Sequence, residues 1–378
     1  MQVTGEWLTA ATTQAVMAML SGGGYRALAV GGCVRNAMLG ASVADIDIAT
    51  DATPDEVIAL SKAAGLKPVP TGIDHGTVTV IADGIPHEVT TFRRDVTTDG
   101  RHATVAFSRD VAEDAARRDF TMNALYADAG GQVVDPLNGL PDLIARHVRF
   151  IGLPEARIAE DYLRILRFFR FTAWYGDPGL GLDAEGLAAC AAQADGLDRI
   201  SAERIGQEMR KLLSAPDPAP AVAAMAQAGV LARVLPGAQT DGLAPLVAAT
   251  GGDWIARLAT LGGDASGWRL SKAEARALQD LSQAARGGEG PFALGDMLSD
   301  RGTDAVQVRA ALIGQAADPA AIRQAQAGAA AQFPLQAADL MPDLSGPALG
   351  AALRRARLAW RSSGGTLGFA ELRQIALS

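Results

Sequence analysis

Gly31-Gly32-Cys33-Val34-Arg35, followed ten residues after Arg35 by Asp45-Ile46-Asp47, decides how the rest of the chain is read. Tyr25–Val30 predicts a strand running into the glycine pair, and Val34–Leu39 a short helix after it. The alternation around Asp45 and Asp47 predicts a second strand over Ala44–Ala49. Carboxylates at i and i+2 of a strand project from one face, because side chains alternate with period two. Two such neighbours repel unless a cation sits between them. Mg²⁺ is the usual answer, since it prefers few carboxylates and leaves room for water and substrate phosphates. The glycine pair lets backbone N–H groups approach phosphate oxygens with no side chain in the way. The chemistry this points to is phosphoryl or nucleotidyl transfer.

Working outward, a helix is expected around Glu6–Leu20, with a turn at Gly22-Gly23-Gly24. Thr53-Pro54-Asp55-Glu56 is a capping box with Pro at the first helical position, which predicts a helix from Pro54 to about Ala64. Thr77–Ala82 and Ile85–Phe92 alternate around Asp83-Gly84, a two-residue hairpin signal. Arg93–Arg109 is polar, carries Asp99-Gly100 and shows no sustained period, so a long loop is expected there. Val111–Arg118 reads as helix, Phe120–Tyr126 as apolar continuation, Gln132–Asp135 as strand, and Asp142–His147 as the opening of a helical remainder. Glu160–Ala173 is apolar at helical spacing through Leu163, Leu166 and Phe169. Ser201 is expected to cap a helix to about Leu213, stopped by Pro216-Asp217-Pro218, and Ala- and Gly-rich helices follow Pro236.

These motifs resemble the nucleotidyltransferase superfamily that includes DNA polymerase beta. More narrowly, they resemble the class II CCA-adding enzymes of the bacterial tRNA nucleotidyltransferase and poly(A) polymerase family. The resemblance covers about Ala27 to Leu213. It implies an α+β fold: a small mixed-sheet, polymerase-beta-like nucleotidyltransferase head over 1–148, then an all-helical neck with the base pocket over 149–235. A helical body and tail over 236–378 would serve tRNA.

In such a site Asp45 and Asp47 would hold Mg²⁺, and Glu88, in His87-Glu88-Val89-Thr90-Thr91-Phe92-Arg93, is the best third carboxylate. Its other readings are a cross-strand partner for Arg93 or a solvated edge residue. The resemblance implies that Gly31, Gly32 and Arg35 contact the incoming nucleotide; the family motif has Asp where this chain has Asn36. Arg117-Arg118-Asp119-Phe120-Thr121-Met122-Asn123-Ala124 offers adjacent arginines, an acid and an amide, suited to phosphate and sugar hydroxyls. By resemblance it prefers ribose to deoxyribose, with Arg118, Asp119 and Asn123 at the nucleotide. Asp119 also reads as a helix N-cap. Asp135-Pro136-Leu137-Asn138-Gly139 with Asp142 reads as turn and capping chemistry, and Ser201–Glu208 as a supporting neck helix.

Asp161, Arg164 and Arg167 recur at i+3 spacing, with Arg170 continuing the series. An Asp accepting from an exocyclic amino group and an Arg donating to a ring nitrogen would fit both cytosine and adenine. Uracil and guanine present the opposite polarity and would leave buried groups unpaired. A side-chain pair can thus act as template, and the resemblance implies addition of C, C and A to tRNA 3′ ends from CTP and ATP. The 3′-hydroxyl would attack the α-phosphate and release pyrophosphate.

A poly(A) polymerase of the same family shares all these catalytic residues. Thr71-Gly72-Ile73-Asp74-His75-Gly76-Thr77 and the polar segment Asp95–Phe107 look more like the tRNA enzymes, where such a loop helps switch specificity from C to A. A non-catalytic RNA-binding protein on the same scaffold is the reading from another class. A small-molecule nucleotidyltransferase would share the head without the Asp161 and Arg164 pocket.

With 378 residues, two to three domains are expected. The composition, 49 % hydrophobic and 20 % charged, is that of a soluble protein. No apolar run approaches the ~20 residues of a membrane span, and Met1–Glu6 carries no basic secretory lead-in, so a cytoplasmic location and no membrane partner are expected. Cys33 and Cys190 suggest free thiols. His75, His87, His102 and His147 form no H-E-x-x-H motif or His-Asp pair in the sequence. Net charge of −8 and a pI near 5.1 argue against indiscriminate nucleic-acid binding. Arg146, Arg149, Arg157, Arg164, Arg167, Arg170, Arg199, Arg204, Arg210 and Lys211 predict a basic stripe for one shaped RNA.

Overall fold

The computed structural model describes residues 1–99, 102–249, 253–341 and 343–378. The chain forms two units, Met1–Ile200 and Ser201–Ser378. The first is α+β. Its strands are β1 (Leu28–Val30), β2 (Asp47–Thr50), β3 (Lys67–Gly72), β4 (Thr77–Ala82), β5 (Ile85–Thr91), β6 (Arg93–Asp99), β7 (His102–Phe107), β8 (Tyr126–Ala127) and β9 (Val133–Val134). Its helices are α1 (Glu6–Thr9), α2 (Ala11–Gly22), α3 (Gly32–Met38), α4 (Pro54–Ala63), α5 (Val111–Ala116), α6 (Leu140–Ile144), α7 (Pro154–Glu160), α8 (Leu163–Tyr175) and α9 (Ala184–Ala192).

Seven strands make one mixed sheet in the order β3-β4-β5-β2-β1-β8-β9. Only β2 and β5 run parallel in it, with Asp47 opposite Glu88. Residues in register on adjacent strands share a face, so the pairing brings the candidate third carboxylate beside Asp47. The β4–β5 hairpin closes as expected, Ala82 facing Ile85. Asp83 and Gly84 both take positive φ, 47° and 79°, the geometry a two-residue turn needs. The capping box at Thr53 is also formed, Thr53 N–H donating to Glu56 Oε2 at 2.7 Å.

Three expectations are corrected. The strand carrying the carboxylates starts at Asp47, leaving Asp45 and Ile46 in the connection before it. The polar segment from Arg93 is a β6–β7 ribbon rather than a loop, with Arg93 opposite Phe107 and Asp99 opposite His102. Cross-strand backbone bonds need no apolar face, which is why hydropathy missed it. Gly100 and Arg101 of the expected loop lie outside the described residues. The helix expected from Glu160 breaks at Asp161, which takes φ −154° and ψ 104°. There the Asp161 Oδ1 accepts from Leu163 N–H at 3.1 Å, satisfying the first turn of α8. The Tyr162 ring lies over Gly196, where a Cβ would come within 1.9 Å of it.

The core under the sheet joins Leu28, Val30, Ala49, Phe92, Val111, Ala115 and Tyr126. An aromatic group of Phe120, Phe150, Phe168 and Phe171 ties α8 to the segment after α5, with Phe150 and Phe168 stacked at 5.4 Å. The second unit is helical among its described residues, from α10 (Ala202–Leu213) to a last helix at Phe369–Leu377. Ser201 stands at the N-cap of α10 without a side-chain capping bond. The buried Arg257 donates to Leu213 O at 2.6 Å and also to Ala215 O, collecting carbonyls at the end of α10.

Asp135 and Gly139 do form the expected turn: Asp135 Oδ1 accepts from Gly139 N–H at 2.8 Å and Oδ2 from Leu140 N–H at 2.9 Å. A Cβ on Gly139 would lie 2.3 Å from Thr121 O, a backbone atom that cannot swing away. Gly139→Ala is therefore expected to destabilise the protein by about 1–3 kcal/mol, read as a lowered denaturation midpoint with unchanged m-value.

Candidate functional site

The glycine pair sits where β1 turns into α3. Gly31 has φ of 71°, and its N–H donates to Leu125 O at 3.0 Å. A Cβ there would lie 3.3 Å from Arg118 Nη1, so the missing side chain clears the space beside that guanidinium. Arg118 itself is fixed from behind. Its Nη2 donates to Asp114 Oδ2 at 3.0 Å, and its Nε to the Tyr126 hydroxyl at 3.1 Å. Burial alone would raise the Asp114 carboxyl, but Arg118 and the Tyr126 hydroxyl carry it below the ordinary carboxylate range. Asp114 and Tyr126 were not singled out from the sequence. The spacing of Asp114 four residues before Arg118 was a usable sign; Tyr126 gave none.

A continuous network runs from Arg118's neighbour across the site. Asp119 Oδ1 accepts from Phe120 N–H and from Asn123 Nδ2, both at 2.9 Å. Its Oδ2 accepts from Arg167, whose Nε lies at 2.7 Å. Burial would raise Asp119, and Arg167 with Asn123 holds it below its usual value. Asn123 passes the network on, its Oδ1 accepting from Arg35 Nη1. The expected cap is not formed, since Phe120 holds the N-cap of the turn Thr121–Asn123; Asp119 acts instead as the anchor of α8. Arg170 lies over the Phe171 ring at 4.5 Å, and its charge is felt at Arg35.

Arg164 is tied to the end of α5, donating from Nη2 to Arg117 O at 3.1 Å and from Nη1 to Arg157 O at 2.8 Å and to Glu160. Arg157 reinforces this by donating to Ala116 O at 2.9 Å. Among the described residues these bonds leave the Arg164 Nε and one Nη2 hydrogen for another acceptor. Asp161 stands in the break before α8 and not on one helical face with Arg164, as its spacing suggested. Several arginines of the expected basic stripe prove to be internally paired: Arg149 with Asp142, Arg157 and Arg164 with Glu160, Arg167 with Asp119, Arg210 with Glu274. The sequence also hid a His–Asp contact, His147 Nε2 reaching Asp183 Oδ1 at 3.1 Å.

Asp45, Asp47 and Glu88 line one open cleft of about 500 Å³ with Ala44, Ile46, Thr79, Ile85 and Pro86. Burial pushes the Asp47 carboxyl up, Glu88 and Asp45 add to the shift, and Arg118 opposes it. Like charges crowded at a cleft mouth suit a cation. Among the described residues no three His, Cys, Asp or Glu side chains are grouped so as to hold a metal ion. An open two-carboxylate site that leaves positions for water and phosphate is the arrangement Mg²⁺ accepts. The cleft and the arginine network together can take a polyphosphate and a hydroxyl nucleophile.

Residues 27–149 match the family model for the poly(A) polymerase head domain, and residues 179–241 that for a probable RNA- and SrmB-binding site of polymerase A. The CCA-adding enzyme of Bacillus stearothermophilus, solved with CTP, aligns over 93 % of this chain and 92 % of its own, at 30 % identity and a TM-score of 0.75. This chain belongs to the tRNA nucleotidyltransferase and poly(A) polymerase family. Among curated members it is 40 % identical over 246 residues to the CCA-adding enzyme of Geobacillus thermodenitrificans, 65 % of this chain and 56 % of that one. It is 45 % identical over 184 residues to the human mitochondrial CCA tRNA nucleotidyltransferase 1, 48 % of this chain and 42 % of that one. The matches thus span about half the length of these curated relatives. The fold is also that of the Thermotoga maritima CCA-adding enzyme, with a TM-score of 0.70 at 19 % identity.

The Arg118 and Asp114 pair gives a direct test of how this family site is held. Asp114 has a depressed folded-state pKa, so its contribution is complete above the unfolded value near 3.8 and is lost as pH falls through the lower folded value. Asp114→Asn leaves the partly exposed Arg118 without its counter-charge and is expected to cost about 1–3 kcal/mol near neutrality. The cost should shrink as the pH falls through the folded-state value, measured by denaturant titration across that range.

Proposed function

We propose that this protein adds C, C and A to tRNA 3′ ends from CTP and ATP, without a nucleic-acid template. The observation that supports this most is the pairing of an open acidic cleft with an arginine network on the same unit, in a chain that aligns over 93 % of its length with a CCA-adding enzyme. The compact partner implied is tRNA lacking its 3′ end, and no helix among the described residues is long and apolar enough to cross a membrane. A cytoplasmic setting belongs to the same proposal.

Asp45 and Asp47 would hold Mg²⁺, with Glu88 as the third carboxylate. When bound, the ion would neutralise charge on the reacting phosphate and lower the pKa of the attacking hydroxyl. The chain's own part is positional. Gly31 and Gly32 open the turn to phosphate, Arg35 and Arg118 supply cationic donors beside it, and Asp119 with Asn123 orients both the α8 arginines and Arg35. The head (1–148) would hold the triphosphate, the neck (149–235) the base, and the body and tail (236–378) the tRNA. Asp161 and the remaining Arg164 donor edge would read the base, with Arg167 and Arg170 completing the cationic face of α8. The break at Asp161 supports this, because it takes the carboxylate out of the regular helix and sets it ahead of Arg164.

A poly(A) polymerase of the same family is the second reading, since its head-domain model also matches. Purified protein given tRNA lacking its 3′ end, Mg²⁺, and CTP and ATP singly and together separates the two on a sequencing gel. Three added nucleotides are expected; a long A ladder from ATP alone would move the assignment to poly(A) polymerase, and no incorporation would favour an RNA-binding role. Asp47→Ala should lower incorporation by roughly a thousandfold, the several kcal/mol a metal clamp contributes, and chelation should abolish it reversibly.

A further inference from the structure

Arg35 is only 7 % exposed, yet among the described residues every group that holds it is neutral. Its Nε and Nη2 donate to Asn36 Oδ1 at 3.2 and 2.9 Å, its Nη2 also to the Tyr175 hydroxyl at 2.9 Å, and its Nη1 to Asn123 Oδ1. The guanidinium lies over the Tyr175 ring at 4.0 Å and over Phe171 at 5.1 Å. Four of its five N–H groups are therefore taken by uncharged acceptors, leaving one on Nη1. The carboxylate whose charge is felt at Arg35 is Asp119, whose oxygens are occupied by Arg167, Asn123 and Phe120 N–H. Burial and the Arg170 charge both press Arg35 toward losing its proton, while Tyr175 and Asp119 oppose this.

A buried cation without a paired acid is costly, and an arriving anion relieves that cost. A carboxylate partner would instead cancel the charge in place. Amide oxygens, a phenol and a ring face fix the guanidinium while leaving its charge for a ligand. Asn36 fits this, since it orients Arg35 where an acid would neutralise it. Its own Nδ2 is anchored on Ser42 O at 2.9 Å, so the amide oxygen is turned to Arg35 by the surrounding bonds.

We propose that Tyr175, at the end of α8, is a positioning residue that holds Arg35 through its hydroxyl and ring face against the nucleotide's triphosphate. The inference rests on the reading of Arg35 as a triphosphate contact. It also assigns α8 a second duty: one end of it carries Arg164 and Arg167, and the other end sets the phosphate-binding charge. Phe171, one turn earlier, continues the aromatic support, its ring 5.3 Å from that of Tyr175.

The test is equilibrium binding of CTP and of CMP to the full chain carrying Tyr175→Phe, Tyr175→Leu or Arg35→Ala, with thermal denaturation of each. Tyr175→Phe keeps the ring and removes one hydrogen bond to a charged group, so CTP should bind about tenfold more weakly. CMP, which lacks the outer phosphates, should change by less than about twofold. Tyr175→Leu, which also loses the ring face, should weaken CTP further. In turnover the change should fall on KM for the nucleotide, with kcat largely kept. Equal losses for CTP and CMP, or unchanged CTP binding in the folded Tyr175→Phe variant, would overturn the proposal. If Arg35→Ala leaves CTP binding intact, the triphosphate reading itself fails. If Arg35→Ala weakens CTP and both Tyr175 variants do not, only the role of Tyr175 is lost.

Discussion

Asp119 is a buried carboxylate with four claims on its two oxygens, and the site is arranged around satisfying them. Phe120 N–H and Asn123 take one oxygen; the Nε and Nη2 of Arg167 take the other. A carboxylate this deep is tolerable only when both oxygens are met by donors. Meeting them brings α8 against the segment after α5 and turns the Asn123 amide so that its oxygen faces Arg35. Removing one partner would release more than one contact, because the bonds are in series. The aromatic group around Phe120 and Phe168 packs along the same seam, so apolar burial and the ionic network fix one arrangement together.

What the sequence disclosed was local. The Thr53 capping box and the Asp83-Gly84 turn are short-range devices whose geometry follows from a few adjacent residues, and both formed as read. The role of Asp135 as a turn-former was legible for the same reason. Features set by distant partners were not. Nothing near Glu88 announces that it lies opposite Asp47, because a parallel pairing is decided by the whole sheet order. Nor does the i+3 spacing of Asp161 and Arg164 reveal a helix break, since the same spacing serves a continuous helix and a cap. The outcome was decided by Tyr162 packing on Gly196 and by the Asp161 carboxylate meeting Leu163 N–H, one tertiary contact and one capping bond. The ribbon from Arg93 was missed because a polar strand pair shows no apolar alternation.

The arginines show why a count along the chain misjudges electrostatics. Arg149, Arg157, Arg164, Arg167 and Arg210 each contact an acid, and Arg357 and Arg361 share the single carboxylate of Asp296. Burial would raise Asp296, but these two guanidinium groups hold it low. Such cations organise the fold more than they attract a polyanion, and in a chain of net charge −8 they leave little unspecific pull on nucleic acid.

Selective attraction then has to come from charge that the fold leaves uncancelled. Arg35 meets that requirement by being surrounded with amide, phenol and ring. Arg118 does not meet it, since Asp114 balances its charge from behind; it offers instead Nη1, which faces the space that Gly31 keeps clear. The two arginines flank one glycine turn, one held by neutral groups and one by an acid. The difference has a physical consequence. The field of a paired arginine falls off as that of a dipole, so Arg118 acts at contact range, whereas Arg35 acts over a longer distance through the low-dielectric interior. An anion approaching the turn would be drawn first by Arg35 and fixed in direction by Arg118 and the backbone N–H groups. Asp47 feels Arg118 as well, which couples the acidic cleft to that arginine. The glycine turn, the two arginines and the acidic cleft are thus coupled through Arg118, although their residues are separated by most of the head in sequence.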